Sequence, residues 1–216
     1  MNSRVVIALF IFFCKTSYSQ NIEWNTYDFD SIVSVEMPFT VYELDTIQDN
    51  RKMYQIFSNN ESIEFRVQKL YLGKLYSNVE TITLPHDDDS LEKLYSEMIW
   101  AITKVSQYNL KYSKSINESN LKGYKLVFND SEGSPIHELN LFVVNKSLYT
   151  FSYLNTNDFN EIERNLFFDS IAFNDEKELR QYPKKPFLTG KKIILALFLF
   201  LLLSFLMRFK SKRKSN

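Results

Sequence analysis

The chain has 216 residues, 26 of them basic and 26 acidic, with four glycines, one cysteine and two histidines. Its formal neutrality is unevenly spread: two basic residues precede Gln20 and seven follow Gly190, so the segment between sets 17 basic residues against all 26 acidic ones, a net charge of −9. A body that acidic argues against nucleic acid as a partner, because affinity for phosphate backbones rests on Lys and Arg.

The chain opens Met1-Asn-Ser-Arg4, continues with ten apolar residues from Val5 to Cys14, and turns polar through Lys15-Thr-Ser-Tyr-Ser-Gln20. A basic start, a short apolar run and small residues ahead of a cleavage point are the layout of a secretory signal peptide. Residues 1–19 are assigned to it, with Ser17 and Ser19 at the −3 and −1 positions. Ten apolar residues are too few to cross a hydrocarbon core about 30 Å thick, which favours cleavage over an uncleaved anchor. Cys14 follows the bulky Ile11-Phe-Phe13, where a lipobox wants small residues. Without the leader the mature chain has no thiol, so an exported domain must stand on its own core without disulfides.

Residues 20–173 are expected to form one exported α+β domain. Apolar alternation at Ile32, Val33 and Val35 to Pro38, Val41 to Leu44, Met53 to Phe57 and Ile63 to Val67 has the strand period of two. Ser58-Asn-Asn-Glu61 supplies turn chemistry between the last two. From Leu91 the apolar residues fall at Leu94, Tyr95, Met98, Ile99, Ile102 and Val105, one face of a helix, with Asp89 or Ser90 as cap and Glu92 closing a capping box on Asp89. Strands return over Leu110 to Ile116, Tyr124 to Phe128, Ile136 to Val144 and Leu148 to Leu154. The last three should form an antiparallel meander turning at Asn129 to Pro135 and at Asn145-Lys146. A second helix capped near Asn157 or Asp158 should turn Phe159, Ile162, Leu166 and Phe167 inward. The expected architecture is a central antiparallel sheet flanked by helices, an α/β/α sandwich.

Residues 174–190, with Asp175-Glu-Lys-Glu178 and two prolines, read as a juxtamembrane stalk. Ile193 to Met207 is an uncharged run, and residues 191–208 are assigned to a transmembrane helix whose Lys191, Lys192, Arg208 and Lys210 send their charges to the interfaces. Residues 209–216 form a basic tail, placed in the cytoplasm because the signal peptide fixes the body outside. Pro186-Phe-Leu-Thr-Gly190 departs from a sortase signal, which requires Leu before the Pro.

Several segments together resemble the PsbP-like fold, named for an extrinsic protein of photosystem II. They are Tyr27-Asp-Phe-Asp leading to Ser34-Val-Glu-Met-Pro38, the single mid-chain helix, the Gly123 to Phe128 strand, the hairpin through Asn145, and Phe168-Asp-Ser-Ile171. The resemblance spans about Trp24 to Phe173 and implies a binding or assembly role. It does not carry chemistry across.

The glycines at positions 73, 123, 133 and 190 are too far apart for a phosphate-cradling loop, and no Gly-x-Ser-x-Gly elbow exists. His86-Asp-Asp-Asp89 offers an imidazole and three carboxylates, but adjacent residues seldom all point at one ion, and carboxylates at a helix start answer its dipole. His137 lies one residue into a strand and reads as an ordinary surface or half-buried histidine rather than a catalytic one. No cofactor is expected. Tyr149, Phe151 and Tyr153 share one strand face and would make a partner-binding patch if exposed, or core if buried. Four Asn-x-Ser sequons, at Asn60, Asn117, Asn129 and Asn145, are about as many as chance gives.

The expected function is that of a single-pass, non-catalytic membrane protein whose exported domain binds a protein partner at the bilayer surface. The alternative is a carrier or sensor holding an apolar ligand between sheet and helix. A concave pocket of about 300 Å³ or more beside the Leu91 to Val105 helix would favour the carrier. A contiguous exposed aromatic patch without a cavity would favour the partner.

Overall fold

Alternating apolar residues do form strands, and the computed structural model describes residues 22–48, 51–73, 84–174 and 176–182. The assigned signal peptide, transmembrane segment and basic tail lie outside these residues, as do Lys191, Lys192, Arg208 and Lys210. In chain order the elements are β1 (Trp24–Asp28), β2 (Val33–Pro38), β3 (Val41–Gln48), β4 (Arg51–Asn59), β5 (Ile63–Tyr71), α1 (Asp88–Val105), β6 (Asn109–Glu118), β7 (Leu121–Asn129), β8 (Pro135–Val144), β9 (Ser147–Asn155), α2 (Glu161–Asp169) and β10 (Ala172–Phe173).

Seven strands make one antiparallel sheet in the order β3-β4-β5-β9-β8-β7-β6. The β5–β9 pairing, Phe65 opposite Tyr153 and Val67 opposite Phe151, joins the early strands to the late ones. Two hairpins close on two-residue turns with both residues at positive φ, Ser119 and Asn120 between β6 and β7, Asn145 and Lys146 between β8 and β9. That backbone matches the right-handed twist of the strands it joins. Gly123 occurs mid-strand because any Cβ there would lie 2.5 Å from the ring of Phe142, its cross-strand neighbour.

Each face of this sheet has its own core. On one, Leu91, Leu94 and Tyr95 of α1 pack on Leu126, Phe128, Leu139, Leu141, Val143 and Leu148. On the other, Phe65, Val67, Phe142, Tyr149, Phe151 and Tyr153 meet Val33, Val35 and Met37 of β2, with Phe167 of α2 and Phe173 of β10. The second face therefore corrects the expected α/β/α sandwich: its cover is a three-stranded sheet, β1-β2-β10, with α2 beside it. A helix of nine residues is about 14 Å long, against a seven-stranded sheet roughly 30 Å across, so it cannot form a layer alone.

Three local expectations change. Helix α1 begins at Asp88, capped by Asp87 with Ser90 closing the box, rather than by Asp89 or Ser90 with Glu92. In α2, capped by Asn160, only Phe167 is buried, while Ile162 is 73% exposed and Leu166 also faces outward. The described part of the expected stalk is fastened to the domain. Asn145 donates its amide to the Arg180 carbonyl at 2.8 Å and accepts from the Arg180 amide at 3.0 Å. The Gln181 amide accepts from Lys122 N at 2.8 Å and donates to the carbonyls of Lys122 at 2.7 Å and Val143 at 3.1 Å.

Candidate functional site

Helix α1 forms because Asp87 accepts the Ser90 amide at 3.0 Å while Ser90 Oγ takes back the Asp87 amide at 3.0 Å, satisfying donors that the first turn leaves free. Its first two turns are nailed down. Leu91 and Leu94 are buried, and the Tyr95 hydroxyl accepts the Val143 amide and donates to the Lys122 carbonyl, each at 2.8 Å. Burial pushes the Tyr95 phenol well above its usual range, so it stays a neutral donor and acceptor. Further along, Met98, Ile99 and Ile102 are only half-buried and Trp100 is exposed.

Where the helix leaves its apolar face partly uncovered, a groove of about 590 Å³ runs between α1 and the strands β4, β5 and β9. Its apolar wall is built from Leu70, Leu72, Leu94, Met98, Ile102 and Leu148. Its polar rim is Arg51, His86, Lys93 and Glu97. Ser90 and Lys93 lie in the first turns of α1, and Glu97, Met98 and Ile102 follow toward its far end. The groove therefore joins an aliphatic wall to a polar rim.

No family model matches the chain, and no curated protein matches it. Among solved structures it is similar to PsbP of the cyanobacterium Synechocystis sp. PCC 6803. The TM-score is 0.44 at 12% identity, covering 73% of this chain and 96% of that one. The PsbP-like resemblance thus has a counterpart among solved structures, at a level that bears on neither activity nor partners.

Tyr149, Phe151 and Tyr153 are each 0% exposed, so they are core and offer no docking patch. Their pattern of three rings on one face is met by the small sheet, which replaces the expected helical cover. Tyr149 anchors a polar keystone there. Asp30 accepts from its hydroxyl at 2.8 Å, from Lys69 Nζ at 2.6 Å, and from the amides of Ile32 and Val33 at 2.7 and 2.9 Å. Burial pushes the Asp30 carboxyl up, but the bonds from Lys69, Ile32 and Tyr149 outweigh it and hold it below its usual value. Asp30 borders a second cleft of about 680 Å³ with Tyr54, Lys69 and Asn145, yet both its oxygens are already taken within the fold.

The Asp87 to Asp89 run serves the helix start, and His86 lies 3.5 Å from Asp87. Among the described residues no three His, Cys, Asp or Glu side chains converge on a common point. His137 is half-buried between the rings of Phe128 and Tyr108, with Nε2 2.9 Å from Ser152 Oγ. Burial, with the nearby Arg66 charge adding to it, pulls its pKa down to about 4, so it is neutral and hydrogen-bonded near pH 7. Among the described residues no helix is long and apolar enough to cross a membrane.

The expected helix forms one wall of the groove, whereas its floor lies on β5 beyond Val67, where the expected strand ends. The alternation Leu70-Tyr-Leu72 was the available signal, since residues two apart share a strand face.

Proposed function

We propose that the chain is an exported, membrane-anchored, non-catalytic domain that holds an apolar small molecule in the groove beneath α1. The groove carries this reading: about 590 Å³, within the range of roughly 300–1,000 Å³ that ligand sites occupy, with an aliphatic wall and a few polar groups on its rim. Anchoring rests on the uncharged run Ile193 to Met207 and its basic flanks. The test is extraction of the full chain from membranes, followed by mass spectrometry of what co-purifies. A small molecule in near-stoichiometric amount, lost when Met98→Trp fills the groove, is the expected result. If the wild-type chain carries nothing that the variant lacks, the carrier reading fails.

The partner-binding reading keeps one specific support. Strand β3 is a sheet edge, and it exposes Tyr42 (52%), Leu44 (43%) and Ile47 (57%). A free edge with apolar side chains is a template for an added strand. Leu44→Lys would block such pairing while leaving the carrier function intact.

A further inference from the structure

The groove under α1 sets an aliphatic wall beside a rim that carries Arg51, and that pairing selects its occupant. Resting on the carrier reading above, we infer that it takes an aliphatic chain bearing a carboxylate, with the chain along Leu70, Leu94, Met98 and Ile102 and the headgroup at Arg51. Arg51 is half-buried, makes no ion pair among the described residues, and lines the groove. A planar guanidinium presents a fork of donors suited to bidentate capture of a carboxylate, and leaving it half-buried without an anion forgoes that energy. The single carboxylate in the lining, Glu97, is matched along the helix by Lys93 at 4.0 Å. In a body with nine more acidic than basic residues, a groove mouth with two cations and one carboxylate runs against the background charge. Among the described residues the rest of the lining is aliphatic apart from His86, Ser90, Lys93 and Glu97, so the ligand is an amphiphile whose charged end meets Arg51.

The experiment uses the full chain in isolated membranes and two photoreactive probes, dodecanoate and dodecanol, each carrying a diazirine near the chain end. Crosslinked peptides are mapped by mass spectrometry. The expected outcome is that the carboxylate probe labels residues 94–102 and is competed by excess dodecanoate, while the alcohol labels them weakly. Arg51→Gln should lower carboxylate labelling about tenfold and leave the alcohol unchanged. If both probes label the groove equally and Arg51→Gln changes neither, the headgroup assignment is overturned while the apolar groove stands. If neither probe labels the groove, the carrier reading falls and takes the inference with it.

Discussion

Glu138 is 2% exposed, and its charge is held by two cations. Lys125 Nζ lies 2.8 Å from Oε1, and Arg164 forks onto both oxygens at 2.8 and 3.0 Å, tying β7, β8 and α2 together. Removing one partner of a buried pair leaves the other charge desolvated, so Glu138→Ala should cost about 3 kcal/mol in denaturant unfolding of the full chain. Replacing it with Gln should recover part of that. His137 acts in the opposite sense to an ion-paired group. In the unfolded chain it binds a proton near pH 6.5, but in the fold not until about 4. Between those values the unfolded state holds more protons, so stability is full above pH 6.5 and falls as the pH drops toward 4. His137→Gln should flatten that decline. Urea titrations at pH 7, 6, 5 and 4.5 would read it, and an unchanged slope would show that His137 is not its source. Asp30, with a lowered carboxyl pKa, contributes to acid loss only below about 3.8 and is separable on that ground.

At the scale of elements, the segment ending at Tyr182 straps onto the main sheet. The paired register of β7 and β8 begins at Gly123 and Phe142, and the next two residues, Lys122 and Val143, are bridged by side chains instead. Tyr95 supplies one bridge and Gln181 the other, while the Tyr182 hydroxyl donates to Asp88 at 3.2 Å. Gln181→Ala would leave the Lys122 amide and the Val143 carbonyl short of partners, at a cost of about 1–3 kcal/mol. Hydrogen exchange gives the sharper readout: the Lys122 amide should exchange faster in the variant, with amides at the centre of β9 unaffected. Equal protection at Lys122 in both proteins would mean that the strap adds nothing to the sheet.

For the whole molecule, the expected address is the property most worth testing. A protease added to intact spheroplasts should digest the acidic body and leave the basic tail associated with the membrane, since the proposed topology puts only residues 209–216 inside. A body that survives until the membrane is permeabilised would overturn that topology.

Much of the path was legible before any coordinate. Strand periodicity located β2 to β9, and Asn145-Lys146 marked a two-residue turn, because these are local signals that each segment carries alone. Strand β1 escaped because Trp24 and Tyr27 are its only large apolar residues and it is largely exposed. Ile162 and Leu166 were assigned inward because helical spacing identifies a face but not what lies opposite it. The same gap hid the site. Composition and periodicity were enough for the acidic charge of the body, most of the strand and helix segments, and the apolar runs at residues 5–14 and 193–207. Packing between distant segments is what seals Tyr149, Phe151 and Tyr153 beneath a second sheet and leaves Leu70, Met98 and Ile102 facing a groove. Burial of a side chain depends on which distant segment covers it, and covering is a relation between elements that local periodicity does not encode.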